Sequence, residues 1–144
     1  MSHDQIEWPP ERTEYRDPGS GNRVIRLTHA RCVNHPLYYL VNSFTPDSRE
    51  LVFASNRTGK YDLFRCDLAT GAIRRLTDLK GLAPFSGNVV GNDVYFTTAD
   101  GKAWRLNLES GDCRVVAERA GCGLGALKPP RLRQPWLPQP WPIR

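Results

Sequence analysis

The sequence predicts an all-β fold, and two observations carry the prediction. Residues 23–118 alternate apolar and polar side chains in short runs broken by Gly, Asn and Asp, the pattern of antiparallel strands and tight turns. The same stretch repeats itself: Phe64-Arg65-Cys66-Asp67-Leu68-Ala69-Thr70-Gly71 aligns with Trp104-Arg105-Leu106-Asn107-Leu108-Glu109-Ser110-Gly111 at an offset of 40. A unit of four short strands recurring about every 40–45 residues is the mark of a β-propeller blade. The expectation is about two antiparallel four-stranded blades of an incomplete β-propeller, with one further outer strand in front.

Each element follows in order. Residues 1–22 are polar, carry Pro9-Pro10 and Pro18-Gly19, and read as an irregular lead-in. Arg26-Leu27-Thr28, within 23–28, repeats Arg75-Leu76-Thr77. Residues 23–28 therefore read as an orphan outermost strand, whose own blade has no earlier strands to pair with it. Blade one is expected over 37–78, from Leu51-Val52-Phe53-Ala54-Ser55 through Phe64–Leu68 to Ile73–Thr77. Blade two is expected over 85–118, with Val94–Thr98, Trp104–Leu108 and Cys113–Ala117 at the matching positions. By the period of two, Phe64, Cys66 and Leu68 share one face, as Trp104, Leu106 and Leu108 do in the next blade, and these are core candidates. Ala69–Ala72 and Glu109–Asp112 read as hairpin turns, with glycine supplying positive φ. From Lys128 to Arg144 there are six prolines in seventeen residues, which neither a sheet ladder nor a helix accommodates. Residues 121–144 are expected to be a disordered Pro/Arg-rich tail. Its register matches no blade, as a shifted reading frame or a truncation would leave it.

Charge and cysteine placement limit the function classes. The net charge is +5, yet residues 1–118 carry all 15 acids and 15 of the 20 Lys and Arg. The excess is confined to Arg119, Lys128, Arg131, Arg133 and Arg144, so the expected folded body is neutral. A nucleic-acid binder would spread or stripe its excess over the body, so no nucleic-acid partner is expected. No apolar run approaches the ~20 residues of a membrane span, and no membrane partner is expected. The charged start (Asp4, Glu7, Glu11, Arg12, Glu14) lacks an apolar signal region, which makes a cytoplasmic location the expectation. Cys32, Cys66, Cys113 and Cys122 lack zinc spacing, and buried free thiols are expected rather than disulfides.

Two resemblances sharpen this picture. Phe44-Thr45-Pro46-Asp47-Ser48-Arg49-Glu50 and on through Asn56-Arg57-Thr58-Gly59, then Asp62-Leu63-Phe64 and Arg75-Leu76-Thr77, resembles a TolB-type propeller repeat. The preceding Asp17-Pro18-Gly19-Ser20-Gly21, Val24-Ile25-Arg26-Leu27-Thr28 and Cys32-Val33-Asn34-His35-Pro36-Leu37-Tyr38-Tyr39 is similar to the N-terminus of oligogalacturonate lyases. That resemblance covers roughly residues 17–118. It implies a seven-bladed cytoplasmic propeller that splits oligogalacturonides, acidic pectin fragments, by β-elimination. In such a reaction a metal (manganese in this family) stabilises enolate-like charge on the uronate, and a histidine base removes the C5 proton. The resemblance places that base and the ligand set, three His and a Gln, in later blades with no counterpart positions here. The chain then reads as an inactive N-terminal fragment, with no catalytic residue, no metal ligand and no manganese of its own. Two other readings stay open: a non-catalytic TolB-type binding module, and a two-bladed protein that closes a ring as an oligomer.

Among residues present, three are substrate-binding candidates. Asn34 and His35, just before the strand expected innermost, could line the channel mouth and touch a uronate; the plainer reading, a His35 that bonds loop carbonyls, is preferred. Arg57, beside Asn56, could offer its guanidinium fork to a carboxylate, or be a solvated turn charge. Arg74 and Arg75 read as solvent-facing on an outer strand. His3 and His29 lack metal spacing with His35, and Ser20 and Ser43 lack the glycine pattern of a nucleophile elbow.

Overall fold

The computed structural model describes residues 6–119; the 121–144 tail lies outside them. The described residues form strands and no helix. In chain order they are β1 (Glu7–Trp8), β2 (Thr13–Arg16) and β3 (Arg23–Arg26), then β4 (Asn34–Pro36), β5 (Glu50–Ser55), β6 (Asp62–Asp67) and β7 (Ile73–Arg75). There follow β8 (Asn88–Val90), β9 (Asp93–Thr97), β10 (Lys102–Asn107) and β11 (Cys113–Glu118). All pairings are antiparallel. Blade one is ordered β1-β7-β6-β5-β4 and blade two β11-β10-β9-β8, while β2 and β3 form a separate hairpin. The propeller-like all-β architecture follows the sequence expectation.

The repeat is visible down to its turns. Asp67 Oδ1 accepts hydrogen bonds from the Ala69 and Thr70 amides and the Thr70 hydroxyl, at 3.0, 2.7 and 2.9 Å. Asn107 Oδ1 does the same for Glu109, Ser110 and the Ser110 hydroxyl, at 3.1, 2.9 and 3.0 Å. Each turn closes on a left-handed glycine, Gly71 at φ 78° and Gly111 at φ 72°, where a side chain would be strained.

Strand alternation sends successive side chains into two cores. Val52, Ala54 and Leu63 of blade one meet Val94, Phe96 and Leu106 of blade two, with Leu37 and Leu82 closing the seam. Phe53, Phe64, Cys66 and Ile73 face the opposite way and are covered by Trp8 and Leu27. Phe64, Cys66 and Leu106 are essentially inaccessible, as their repeat positions predict. Arg65 crosses the seam, donating from Nη1 to the Leu108 carbonyl at 3.1 Å and to Glu50 at 3.3 Å.

Three expectations need correction. The lead-in is not irregular throughout: Glu7 and Trp8 pair with Arg74 and Ile73 as a fifth strand on blade one. Trp8 packs there against the Phe53, Phe64 and Ile73 cluster, an apolar burial that favours ordering a polar, proline-interrupted segment. The strand at 23–28 is not an orphan, because Arg23–Arg26 pairs with Arg16–Thr13. Its turn is tied by Asp17, whose Oδ2 accepts from the Ser20 amide and hydroxyl at 2.8 and 2.6 Å. Finally, the innermost strand of blade one is Asn34–Pro36, upstream of the expected start at 37. Pro36 is tolerated because β4 is an edge strand and needs no donor on its open side.

Candidate functional site: the inner strand of blade one

β4 pairs with β5 in the register Asn34↔Ser55, His35↔Ala54, Pro36↔Phe53, which sets Asn34 and His35 on the inner edge of the blade. The two neighbours take different surroundings, as alternation requires.

His35 lies among aromatics. Its ring stacks on Phe85 with centroids 4.3 Å apart and planes 20° apart, and Tyr61 approaches at 5.7 Å. Nδ1 is 2.8 Å from the Pro36 carbonyl. A carbonyl only accepts, so Nδ1 carries the proton and Nε2 is left as an acceptor. Nε2 is buried and has no partner. Phe85 is 60% exposed, so its outer face stays open to solvent. The bond to a loop carbonyl and the position on the inner edge thus occur together in one residue.

Asn34 and Arg57 belong to a different constellation. The Arg57 side chain is only 3% exposed. Its Nη1 donates to Glu11 at 3.1 Å, Nη2 to Asn34 Oδ1 at 3.0 Å, and Nε to Ser55 Oγ at 3.2 Å. The guanidinium carbon lies 5.8, 5.5 and 5.1 Å from the ring centres of Trp8, Phe53 and Phe64. Arg57 is therefore neither a solvated turn charge nor a free fork for a carboxylate. Its fork is occupied and its faces lie on aromatic rings, where the ring quadrupoles attract the cation. Asn34 is engaged with it and donates from Nδ2 toward the Cys32 carbonyl at 3.4 Å. Arg75 is likewise held, donating to Asp62 and Asp78 at 2.7 Å each.

Sequence reasoning missed Glu11, the acid that fixes this cluster. Its second oxygen accepts the His29 and Ala30 amides at 2.6 and 2.9 Å. Burial alone would raise the Glu11 carboxyl; the two amides and the Arg57 guanidinium outweigh it and hold the group below its ordinary value. It also missed Phe85. The available signal was an aromatic beside Pro84 in the inter-blade loop, where a core residue is not required.

Chemically, the inner edge offers an open aromatic face and one ring acceptor. No carboxylate or hydroxyl is bonded to His35, so the orienting partner of a base is lacking among the described residues. No three His, Cys, Asp or Glu side chains of the described residues come together as a metal site requires. The described residues thus offer no donor set that fits manganese.

Comparison with known proteins gives these geometries a context. No family model matches the chain. In sequence it is 28% identical over 96 residues to the oligogalacturonide lyase of Pectobacterium atrosepticum, covering 65% of this chain and 25% of that protein. The chain thus spans about a quarter of the length of the curated relative it matches. Its fold superposes on the crystal structure of oligogalacturonate lyase from Vibrio parahaemolyticus with a TM-score of 0.74 at 21% identity, covering 81% of this chain and 32% of that one. A second oligogalacturonate lyase, solved in complex with manganese, gives 0.73 at 24% identity, with 80% and 31% coverage. A TolB-type structure from Agrobacterium tumefaciens follows at 0.51 and 15% identity, covering 75% of this chain and 42% of that one. By sequence and by fold, over the part it spans, the chain resembles an oligogalacturonate lyase.

Proposed function

We propose that this chain forms part of a lyase-type propeller that acts on oligogalacturonides by β-elimination, and that its two blades bind the sugar without cleaving it. The observation that carries the reading is the sequence match to an oligogalacturonide lyase over 96 residues, joined to the shared fold. In this reading β4 faces the acidic sugar. Phe85 supplies an apolar surface for a pyranose ring, and His35 backs it by stacking on its inner face. Arg57 and Asn34 act behind them, holding β4 and the lead-in together. The proton-abstracting base and the manganese site belong to parts of the propeller beyond these two blades. A cytoplasmic location is part of the proposal, and the free thiols of Cys32, Cys66 and Cys113 suit a reducing compartment.

The test pairs activity with binding. Incubated with manganese and short oligogalacturonides, the chain is expected to give no rise in ultraviolet absorbance from unsaturated product. Calorimetry is expected to detect binding near 1 mM, about −4 kcal/mol, that Phe85→Ala abolishes. Turnover by the chain alone would overturn the division of labour. Absence of binding, or binding that Phe85→Ala leaves unchanged, would overturn the sugar-facing role.

A further inference from the structure

The segment leading into β4 is anchored by a residue far upstream. Glu11 lies in the lead-in between β1 and β2, and its side chain is 15% exposed. One carboxylate oxygen accepts the His29 and Ala30 amides, on the segment that runs to β4; the other accepts Arg57 Nη1. Arg57 passes the hold on, donating through Nη2 to Asn34 Oδ1 on the first residue of β4. Val33, one residue earlier, is pinned to Asn56 through its amide and its carbonyl, at 2.8 and 3.2 Å. β4 itself has three residues and pairs on one side only, so its ladder with β5 does little to fix it alone.

Blade two provides the comparison. Asn34-His35-Pro36 is matched there by Leu82-Ala83-Pro84. The backbone repeats in register: Leu82 bridges Thr98 as Asn34 pairs with Ser55, and the Ala99 amide donates to the Gly81 carbonyl as Asn56 does to Val33. The side chains do not repeat. Leu82 is buried among apolar neighbours, and Asp100, at the Arg57 position, is half exposed and paired with Lys102. A blade of this repeat therefore sets its inner segment without a buried ion pair, whose desolvation is costly. The Glu11–Arg57–Asn34 relay of blade one does something that the blade itself does not require.

We propose that Glu11 is a positioning residue for the sugar-facing edge, acting through Arg57 and Asn34 to fix where β4 presents His35 and Phe85. Alternation makes the transfer direct, because holding Asn34 on one face of β4 fixes the orientation of His35 on the other. Phe85 follows His35, on which it stacks. The consequence for binding rests on β4 facing the sugar; the positioning itself does not.

Proton NMR of the full chain reads both in Glu11→Gln, at one fixed pH. Glutamine keeps the shape and an oxygen for the two amides, and removes the charge that holds Arg57. The His35 ring protons sense the Phe85 face stacked at 4.3 Å, and the Trp104 indole proton, bonded to Thr98, reports that blade two stays folded. The His35 signals are expected to move toward their unfolded positions while the Trp104 signal holds. Short oligogalacturonides, titrated in the same spectra, are expected to bind about fivefold more weakly. A residue that only stabilises would lower the urea midpoint and leave both readings of the folded chain unchanged, which overturns the proposal. So does a His35 shift with undiminished affinity. If the parent chain binds no sugar, the sugar-facing reading falls, and the His35 signals alone decide whether Glu11 positions β4. Should Glu11→Gln fail to fold, Asn34→Leu, which installs the blade-two side chain, takes its place. It cuts the same relay at its last bond and must give the same two changes.

Discussion

Arg57→Met removes one cation from beneath three segments at once. Methionine keeps an apolar, polarizable stem against Trp8, Phe53 and Phe64, so most of the packing survives. What is lost is the charge and its bonds to Glu11, Asn34 and Ser55. Breaking a buried ion pair by deleting one partner costs roughly 3–5 kcal/mol. Glu11 keeps 15% exposure and both backbone donors, which places the cost near the low end, about 3 kcal/mol. With a urea slope of roughly 1–3 kcal/mol/M, the unfolding midpoint should fall by about 1–3 M. Tryptophan fluorescence of Arg57→Met, Glu11→Gln and the double variant reads it, and the cycle should show coupling of at least about 1 kcal/mol. The pH dependence follows from the depressed Glu11 carboxyl. Its contribution is present above the ordinary carboxylate value, is lost as pH falls through the folded value, and should shrink in Arg57→Met. A cost below about 1 kcal/mol, or additive single effects within about 0.5 kcal/mol, would refute the buried clamp.

Three further outcomes are expected. Gly71→Ala should destabilise far more than Gly111→Ala: both glycines are left-handed, but a Cβ at Gly71 would stand 2.5 Å from Arg12 Cβ, whereas none lies within 4 Å at Gly111. The left-handed penalty alone is about 1–2 kcal/mol, so any excess at Gly71 should appear as faster amide exchange in β1 and β7. Glu14 is held down to about 2, chiefly by its bond to Arg23, so its hold on the β2–β3 hairpin should persist above pH 4.5 and fade as pH approaches 2. Carboxyl chemical shifts check this, and an ordinary titration midpoint would contradict it. Cys66, pushed up to about 11 chiefly by burial, should resist alkylation at pH 8 until the chain unfolds, while reaction in the native state at the rate of a free thiol would count against its placement.

The blades were legible because their information is local and periodic. Alternation places Phe64 and Leu106 inside, and the Asp67 and Asn107 turns carry their own capping oxygens. The lead-in was not legible because its signals point outward: two prolines, several charges and a single tryptophan. Only the convergence of Phe53, Phe64 and Ile73 from strands far along the chain makes a seat for Trp8. Arg57 misled for the same reason. A cation in a strand-to-strand turn reads as solvated unless the aromatics and the acid that enclose it are known to meet there. At the inner edge, His35 was identifiable by its place before the aromatic pair, whereas Phe85 comes from the next inter-blade loop and joins it only through the fold.

The strap over blade one also orders events in time. Arg12 bonds the Leu68 carbonyl across 56 positions, and β1 cannot pair before β7 exists. The first of the described strands is thus set only once β7 has been made, and the Phe64–Cys66 face lacks its Trp8 cover until then. A nascent chain stalled before Ile73 would present that face to chaperones and to its neighbours. Bulky additions ahead of Ile6 would act on this late docking step, lowering the yield of folded chain more than the stability of what has folded.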